Sequence, residues 1–178
     1  MLKRFVVRVL ALSAALAVCP VHGAQPLTPE SIQADIHRHG VNAAASRVFA
    51  QAASRDALMA GVASGNVRWV RVGVGLQAVT DAGDRSELHD AMYIALARQP
   101  AVVLQLAVPA FPVEVLCAGR ADPLATLRES LAEVDAVRHA VRAVKAPALA
   151  AKKAACLSAL DKGRADLIRF FAESSSSF

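Results

Sequence analysis

Along the last third of the chain the apolar residues advance by threes and fours: Leu124, Leu127, Leu131, Val134, Val137, Val141 and Val144, opposite Arg128, Glu129, Asp135 and Arg142. A stripe with that period is the core-facing side of an amphipathic helix. Asp122 before Pro123 predicts where it starts, and Pro147 marks the turn that follows. Beyond the turn, Leu149, Cys156, Leu157, Leu160, Leu167, Ile168 and Phe171 share one face of a second helix. The two together predict an α-hairpin, and a turn near Ala146 would set Cys156 opposite Ala136. The closing SSSSF predicts a disordered tail over residues 174–178.

The same period governs the earlier segments, where the punctuation falls at helix-like intervals. In LTPESIQADIHRHG, Thr28 is placed to cap a helix, Pro29 suits its first position, and His37, Arg38 and His39 form a basic last turn before Gly40. Asn42 is the expected cap of a second helix with Val48 and Phe49 buried, and Ser54 or Asp56 that of a third ending at Gly65. Residues 67–79 are ambiguous: Val70, Val72, Val74 and Leu76 alternate as in a strand, while Trp69, Val72, Leu76 and Val79 keep helical spacing. With helices on both sides and no partner strand, the segment is expected to be a helix weakened by Gly73 and Gly75. SELHDAMYIALARQ keeps a 3–4 spacing through Leu88, Ala91, Met92, Ala95 and Leu96, and Pro100 starts a short apolar helix. Pro109, Pro112 and Gly119 predict a loop to about residue 122, carrying Cys117.

The expected architecture is therefore all-α: about seven short-to-medium helices in antiparallel pairs, ending in the hairpin. An internal echo supports the pairing. At an offset of 34 residues, Met59, Gly65, Val70 and Val72 fall opposite Tyr93, Gln99, Leu104 and Leu106, each copy reading as helix, tight turn, helix.

The first 24 residues follow another logic. Lys3, Arg4 and Arg8 precede an apolar run from Val9 to Val18, then Pro20 and the small residues Gly23 and Ala24. Charged, apolar and small regions in that order predict a cleaved export signal over residues 1–24, the apolar run being too short to span a bilayer. Cys19 raises a lipoprotein reading, which the bulk of Val18 before it disfavours. The helical domain then occupies 25–173, about 154 residues remaining after the leader. All three leader charges are basic, so of 20 Lys+Arg only 17 remain against 15 Asp+Glu, and the net charge of +5 becomes +2. Nucleic acid thereby loses its main support as a partner, and no later segment approaches the ~20 apolar residues of a membrane span.

Removal of the leader also takes Cys19 and leaves Cys117 and Cys156. An even pair in an oxidising compartment predicts a disulfide. It closes a loop of 39 positions.

Candidate chemistry concentrates in TDAGDRSELHD, residues 80–90, with Asp81, Asp84, Glu87 and His89. As a calcium loop it fails, because Gly83 and Arg85 stand where oxygen ligands belong. Asp84 to Glu87 has capping-box spacing, with Asp81 in the preceding turn, so the main expectation is a helix start. An exposed recognition loop of Asp81, Asp84, Glu87 and His89 is the second reading, and an acid/base pair the third. Elsewhere Gly73, Gly75 and Ala78 match a dinucleotide fingerprint without the strand–helix–strand context it needs; close helix approach at the glycines accounts for them better. His37 and His39, two apart, point to different helix faces and do not converge on a metal. Ser64 in GVASG sits one place late for a nucleophile elbow. The residues thus predict no catalytic group, no metal and no cofactor.

Two resemblances add to this reading. LTPES, Leu27–Ser31, resembles the start of the L-T-x-x-Q motif of periplasmic helical stress chaperones, with Ser31 where glutamine belongs. WVRVGVGLQAVTDAGDRSELHDAMYIALARQP with the cysteine-bearing loop after it resembles small uncharacterised exported all-helical proteins of proteobacteria, over about residues 55–160. That likeness implies a fold and a compartment and no activity. The expected function is a non-catalytic periplasmic protein of the protein-binding, adaptor or immunity type, with secretion into the medium a further possibility. A helical stress chaperone, or a hydrolase using Asp81, Asp84 or His89, is the alternative. The expected partner is another protein, without nucleic acid and without stable membrane insertion.

Overall fold

In a computed structural model describing residues 26–120 and 124–175, every regular element is helical. The nine α-helices among the described residues are α1 (Pro29–His39), α2 (Val41–Ala50), α3 (Ala52–Ala63), α4 (Val67–Gln77), α5 (Ala82–Arg98), α6 (Pro100–Leu106), α7 (Val113–Leu116), α8 (Leu127–Arg142) and α9 (Ala150–Ser175). A 3-10 turn, Pro147–Leu149, precedes α9. The proposed leader, the Asp122–Pro123 helix start and the last three residues of the tail lie outside the described residues.

Helix α5 is the centre of the molecule. Leu88, Ala91, Met92, Tyr93, Ala95 and Leu96 are all buried on it, and α3, α4, α6, α7 and α8 all pack against it. One hydrophobic cluster runs from Ile32 on α1 to Leu160 on α9. The 34-residue echo has a structural counterpart. Its copies are the pairs α3–α4 and α5–α6, and they stack with α3 on α5 and α4 on α6. The matched residues Val70 and Leu104 are both fully buried.

Residues 67–77 are helical, as the 3–4 spacing of Trp69, Val72 and Leu76 requires. The two glycines of this helix differ in role. A Cβ on Gly73 would lie 2.9 Å from Met92 Cε and 3.0 Å from a methyl of Val62, so this glycine permits the close approach of α4 to its neighbours. A Cβ on Gly75 would meet nothing within 4 Å, so close approach does not explain it. Gly75→Ala should therefore stabilise the protein by about 1 kcal/mol, the helix-propensity difference alone. A urea titration checks this, and any loss of stability would contradict it.

Helix starts were the least legible feature. Thr28 does cap α1, with Ser31 returning the bond to the Thr28 N–H in a capping box. Gly40 follows the basic last turn at φ 84°, a backbone conformation that suits glycine. Helix α2, however, begins at Val41 after Gly40 instead of being capped by Asn42, and α3 begins at Ala52 after Gln51 instead of at Ser54 or Asp56. Neither start carries a side-chain cap bond; packing against neighbours fixes them where capping preference alone pointed further along. Helix α8 starts at Leu127 behind a Thr126–Glu129 capping box. Helix α9 continues through Ser175, two residues into the segment expected to be disordered.

The hairpin forms with a different register. Arg138 Nε pairs with Asp161 at 2.6 Å and Arg164 Nε with Asp135 at 3.4 Å, while Lys153 Nζ donates to the Arg142 and Val144 carbonyls. These contacts place Cys156 nearer the turn than Ala136. The reason is the connection: non-helical residues 143–146 and the 3-10 turn delay the start of α9 proper. Cys117 and Cys156 form the expected disulfide, with Cα atoms 5.2 Å apart and both residues fully buried.

Candidate recognition surface

The acidic segment opens α5, but its parts diverge. Asp81 is the N-cap: its Oδ1 accepts the Asp84 N–H at 2.9 Å. The cap thus falls three residues before the Asp84 position expected from Asp84–Glu87 spacing. The turn before it is tied down by Thr80, whose hydroxyl donates to the Gln77 carbonyl, and by Arg85, which donates to the Thr80 carbonyl. Arg55 on α3 reaches across to both acids of the first two turns, 4.0 Å from Asp84 and 3.6 Å from Glu87. Asp84 is the more enclosed of the two, its side chain 16% exposed against 48% for Glu87. Its carboxyl is pushed up from the ordinary value, first by burial and then by the neighbouring Asp81 carboxylate, with Arg55 opposing.

Asp81→Ala should cost about 1 kcal/mol through the lost cap. It should also bring the Asp84 carboxyl down, because one of the two causes of its rise disappears. Carboxyl carbon chemical shifts followed through a pH titration read this directly; an unmoved Asp84 would contradict the electrostatic account.

His89 does not join these acids. Five residues on from Asp84, it projects about 140° further round the helix. Its Nε2 lies 2.8 Å from the Val115 carbonyl, so that nitrogen carries the proton, and its ring centroid is 6.5 Å from that of Phe111. Nδ1 is 3.4 Å from Asp90, at the edge of hydrogen-bond range. His89 therefore anchors α7 to α5. The expected set Asp81, Asp84, Glu87 and His89 splits into three acids at the start of α5, of which Asp84 is enclosed, and a histidine that faces α7.

Other candidates are absorbed by local structure in the same way. His39 Nδ1 and both Arg47 donors converge on the Asp35 carboxylate at 2.6–2.8 Å, joining the end of α1 to α2. Hydrogen bonding from Arg47 is the main reason the Asp35 carboxyl sits below its ordinary value. Among the described residues, two surface depressions stand out. One of about 490 Å³ is lined by Ser64, Gly65, Asn66, Val67, Gln99 and Val102. The other, about 320 Å³, lies along α1 and α2 beside Asp35 and Arg47. Neither includes Asp81, Asp84, Glu87 or His89. Among the described residues no three His, Cys, Asp or Glu are grouped to hold a metal ion, and no helix is long and apolar enough to cross a membrane.

One buried polar group is out of the ordinary. Tyr93 is fully buried on α5, and its hydroxyl has no hydrogen-bond partner among the described residues. Burial pushes its phenol above the ordinary value; the Glu133 carboxylate adds to this and Arg120 opposes it. The hydroxyl sits where a Gly119 Cβ would lie 4.0 Å away, beside the disulfide loop. Tyr93→Phe should be neutral or stabilising by up to about 1 kcal/mol, since it removes a desolvated donor without breaking a bond. Thermal unfolding checks it, and a loss above that size would reveal a partner for the hydroxyl.

The feature that sequence reasoning assigned to the core lies at the free end of the hairpin. Leu124, first in the apolar stripe, precedes α8 and is 93% exposed, and Ile168 of the second stripe is 42% exposed; Phe170, outside both stripes, is 62% exposed. Leu127 and Leu131 are half-buried and lie outside the central cluster. The physical reason is the reach of the neighbours. Helix α9 packs chiefly on α8, on α7 and on the 3-10 turn, and its last fully buried residue is Leu160. Past that point cover thins: Gly163 still meets the Ala118 backbone and Leu167 still packs on the core, but no later α9 residue is fully buried among the described residues. An i, i+3, i+4 pattern shows that a face is apolar but not whether another element covers it. Comparison of the chain with known protein-family models, with characterised proteins and with solved structures finds no match.

Proposed function

We propose that this chain is an exported, non-catalytic protein-binding module, of the adaptor or immunity type, that uses the free end of the α8–α9 hairpin as its contact surface. The observation that carries the reading is the exposure of Leu124 and Phe170 at the free end of the hairpin, the two most exposed large apolar side chains among the described residues. Large apolar side chains left exposed beside charged ones are a mark of a protein contact. Arg128 on α8 and Asp166 and Arg169 on α9 supply charge along the same stretches of helix. Export is supported by the ordering of charged, apolar and small residues in 1–24 and by the disulfide, which persists in oxidising compartments.

A photo-crosslinker placed at Phe170 in the producing cell tests the contact, with one at Lys145, at the turn end of the hairpin, as control. Protein adducts should form at position 170 and not at 145. Absence of adducts at Phe170, or equal labelling at both, would sink the reading. N-terminal sequencing of protein recovered outside the cytoplasm tests export separately: it should begin near residue 24 or 25, whereas a full-length cytoplasmic product would contradict it.

A further inference from the structure

The last three turns of α9 carry an ordered charge strip. Lys162, Asp166, Arg169 and Glu173 are spaced 4, 3 and 4 apart, so they stay within about 60° of one another round the helix. Phe170 borders this strip. The first three charged side chains are well exposed, at 78%, 39% and 68%. Read along the helix, the signs are plus, minus, plus, minus.

We propose that the occupant of this surface is a second copy of the same chain, docked antiparallel along α9. The inference rests on the protein-contact reading above and names its partner. A two-fold rotation places Lys162 against Glu173 of the other copy and Asp166 against Arg169. Both pairings are centred between Leu167 and Ile168, so a single register satisfies all four charges on each chain. Such self-complementarity is what an isologous interface demands. A partner of one sign, an anionic membrane or a nucleic acid, would meet two repulsive charges of the four. Within one chain Lys162 and Arg169 both pair with the Asp166 carboxylate, at 2.6 and 2.7 Å. Exposed intrahelical pairs of this kind contribute little, so exchanging them for intermolecular ones costs little. Phe170 supplies the apolar contact at the edge of the strip, and its removal from water is the favourable term that charge pairing alone lacks.

The contact spans the 12 residues from Lys162 to Glu173, about 16 Å of helix, which is short for a stable interface. The dimer is therefore weak, with a dissociation constant of roughly 10–100 µM. Sedimentation velocity on the purified mature chain, from about 5 to 500 µM, should show a concentration-dependent monomer–dimer equilibrium. Phe170→Asp should weaken association at least about tenfold. The decisive experiment is a mixture. A chain carrying Lys162→Glu with Arg169→Glu and a chain carrying Asp166→Lys with Glu173→Lys should each remain monomeric alone, yet associate when mixed at low salt. Circular dichroism of each variant confirms that the helices persist.

A wild-type chain monomeric at the highest concentration overturns the proposal. So does a dimer indifferent to Phe170→Asp, or a mixture that fails to associate. The crosslinking outcome separates this inference from the broader one. Adducts at Phe170 of twice the chain mass support the second copy. Adducts of another mass from a chain that is monomeric when pure overturn self-docking and leave the protein-binding reading standing.

Discussion

Replacing both Cys117 and Cys156 by alanine should lower the unfolding free energy by about 3–4 kcal/mol, the largest single effect expected in this protein. The loop closed by the bond spans 39 residues, and restoring that much chain freedom to the unfolded state accounts for a penalty of this size. The structure indicates where the loss would be felt. Helix α7 is a single turn of four residues, too short to hold itself. Its other attachments include the His89 bond to the Val115 carbonyl, the buried side chain of Leu116 and packing on α9. Without the disulfide, the segment from α6 to α8 should open locally before the rest of the molecule unfolds. Urea titration gives the global loss, and limited proteolysis at Arg120 reads the local one. A change under about 1 kcal/mol, or no gain in cleavage at Arg120, would contradict this account.

Gly163→Val should cost about 3 kcal/mol, at the upper end of overpacking effects. A Cβ at this position would lie 2.4 Å from the Ala118 carbonyl oxygen and 3.2 Å from its carbon. The obstacle is backbone, held next to Cys117, so it cannot turn aside as a side chain would. The glycine is thus the position at which α9 admits the disulfide loop. The two predictions are coupled. In the Cys117→Ala, Cys156→Ala background Ala118 is free to retreat, and the cost of Gly163→Val should fall by 1 kcal/mol or more, which a double-mutant cycle measures. Additive costs would show that the loop stays in place without its bond.

Acid should act through other groups. Asp35 and Asp166 are held below the ordinary carboxylate value, in each case first by a hydrogen bond from a cation, Arg47 and Lys162 respectively. Depressed carboxyls contribute stability that is present above their unfolded values and lost as pH falls through the folded ones. Asp84 works in the opposite sense, since its raised carboxyl favours the folded state below its folded value and loses that advantage as pH rises.

By itself the sequence determined the all-helical class, the helical state of residues 67–77, the capped start of α1 and the Cys117–Cys156 pairing. These rest on local or compartmental physics: the 3.6-residue period, the hydrogen-bonding reach of Thr28 to the first turn, and an even cysteine pair. It also placed His37, Arg38 and His39 in the last turn of α1 before Gly40, where the helix dipole favours cations. Tertiary structure alone decided three other matters. It moved the starts of α2 and α3, since packing outweighs the fraction of a kcal/mol by which one cap position differs from its neighbour. It turned His89 away from Asp81 and Asp84 toward Val115, an outcome set by where α7 docks and invisible to spacing. And it left Leu124 and Ile168 exposed, because whether an apolar stripe is buried depends on the length and placement of every other helix, which no periodicity in the stripe itself records.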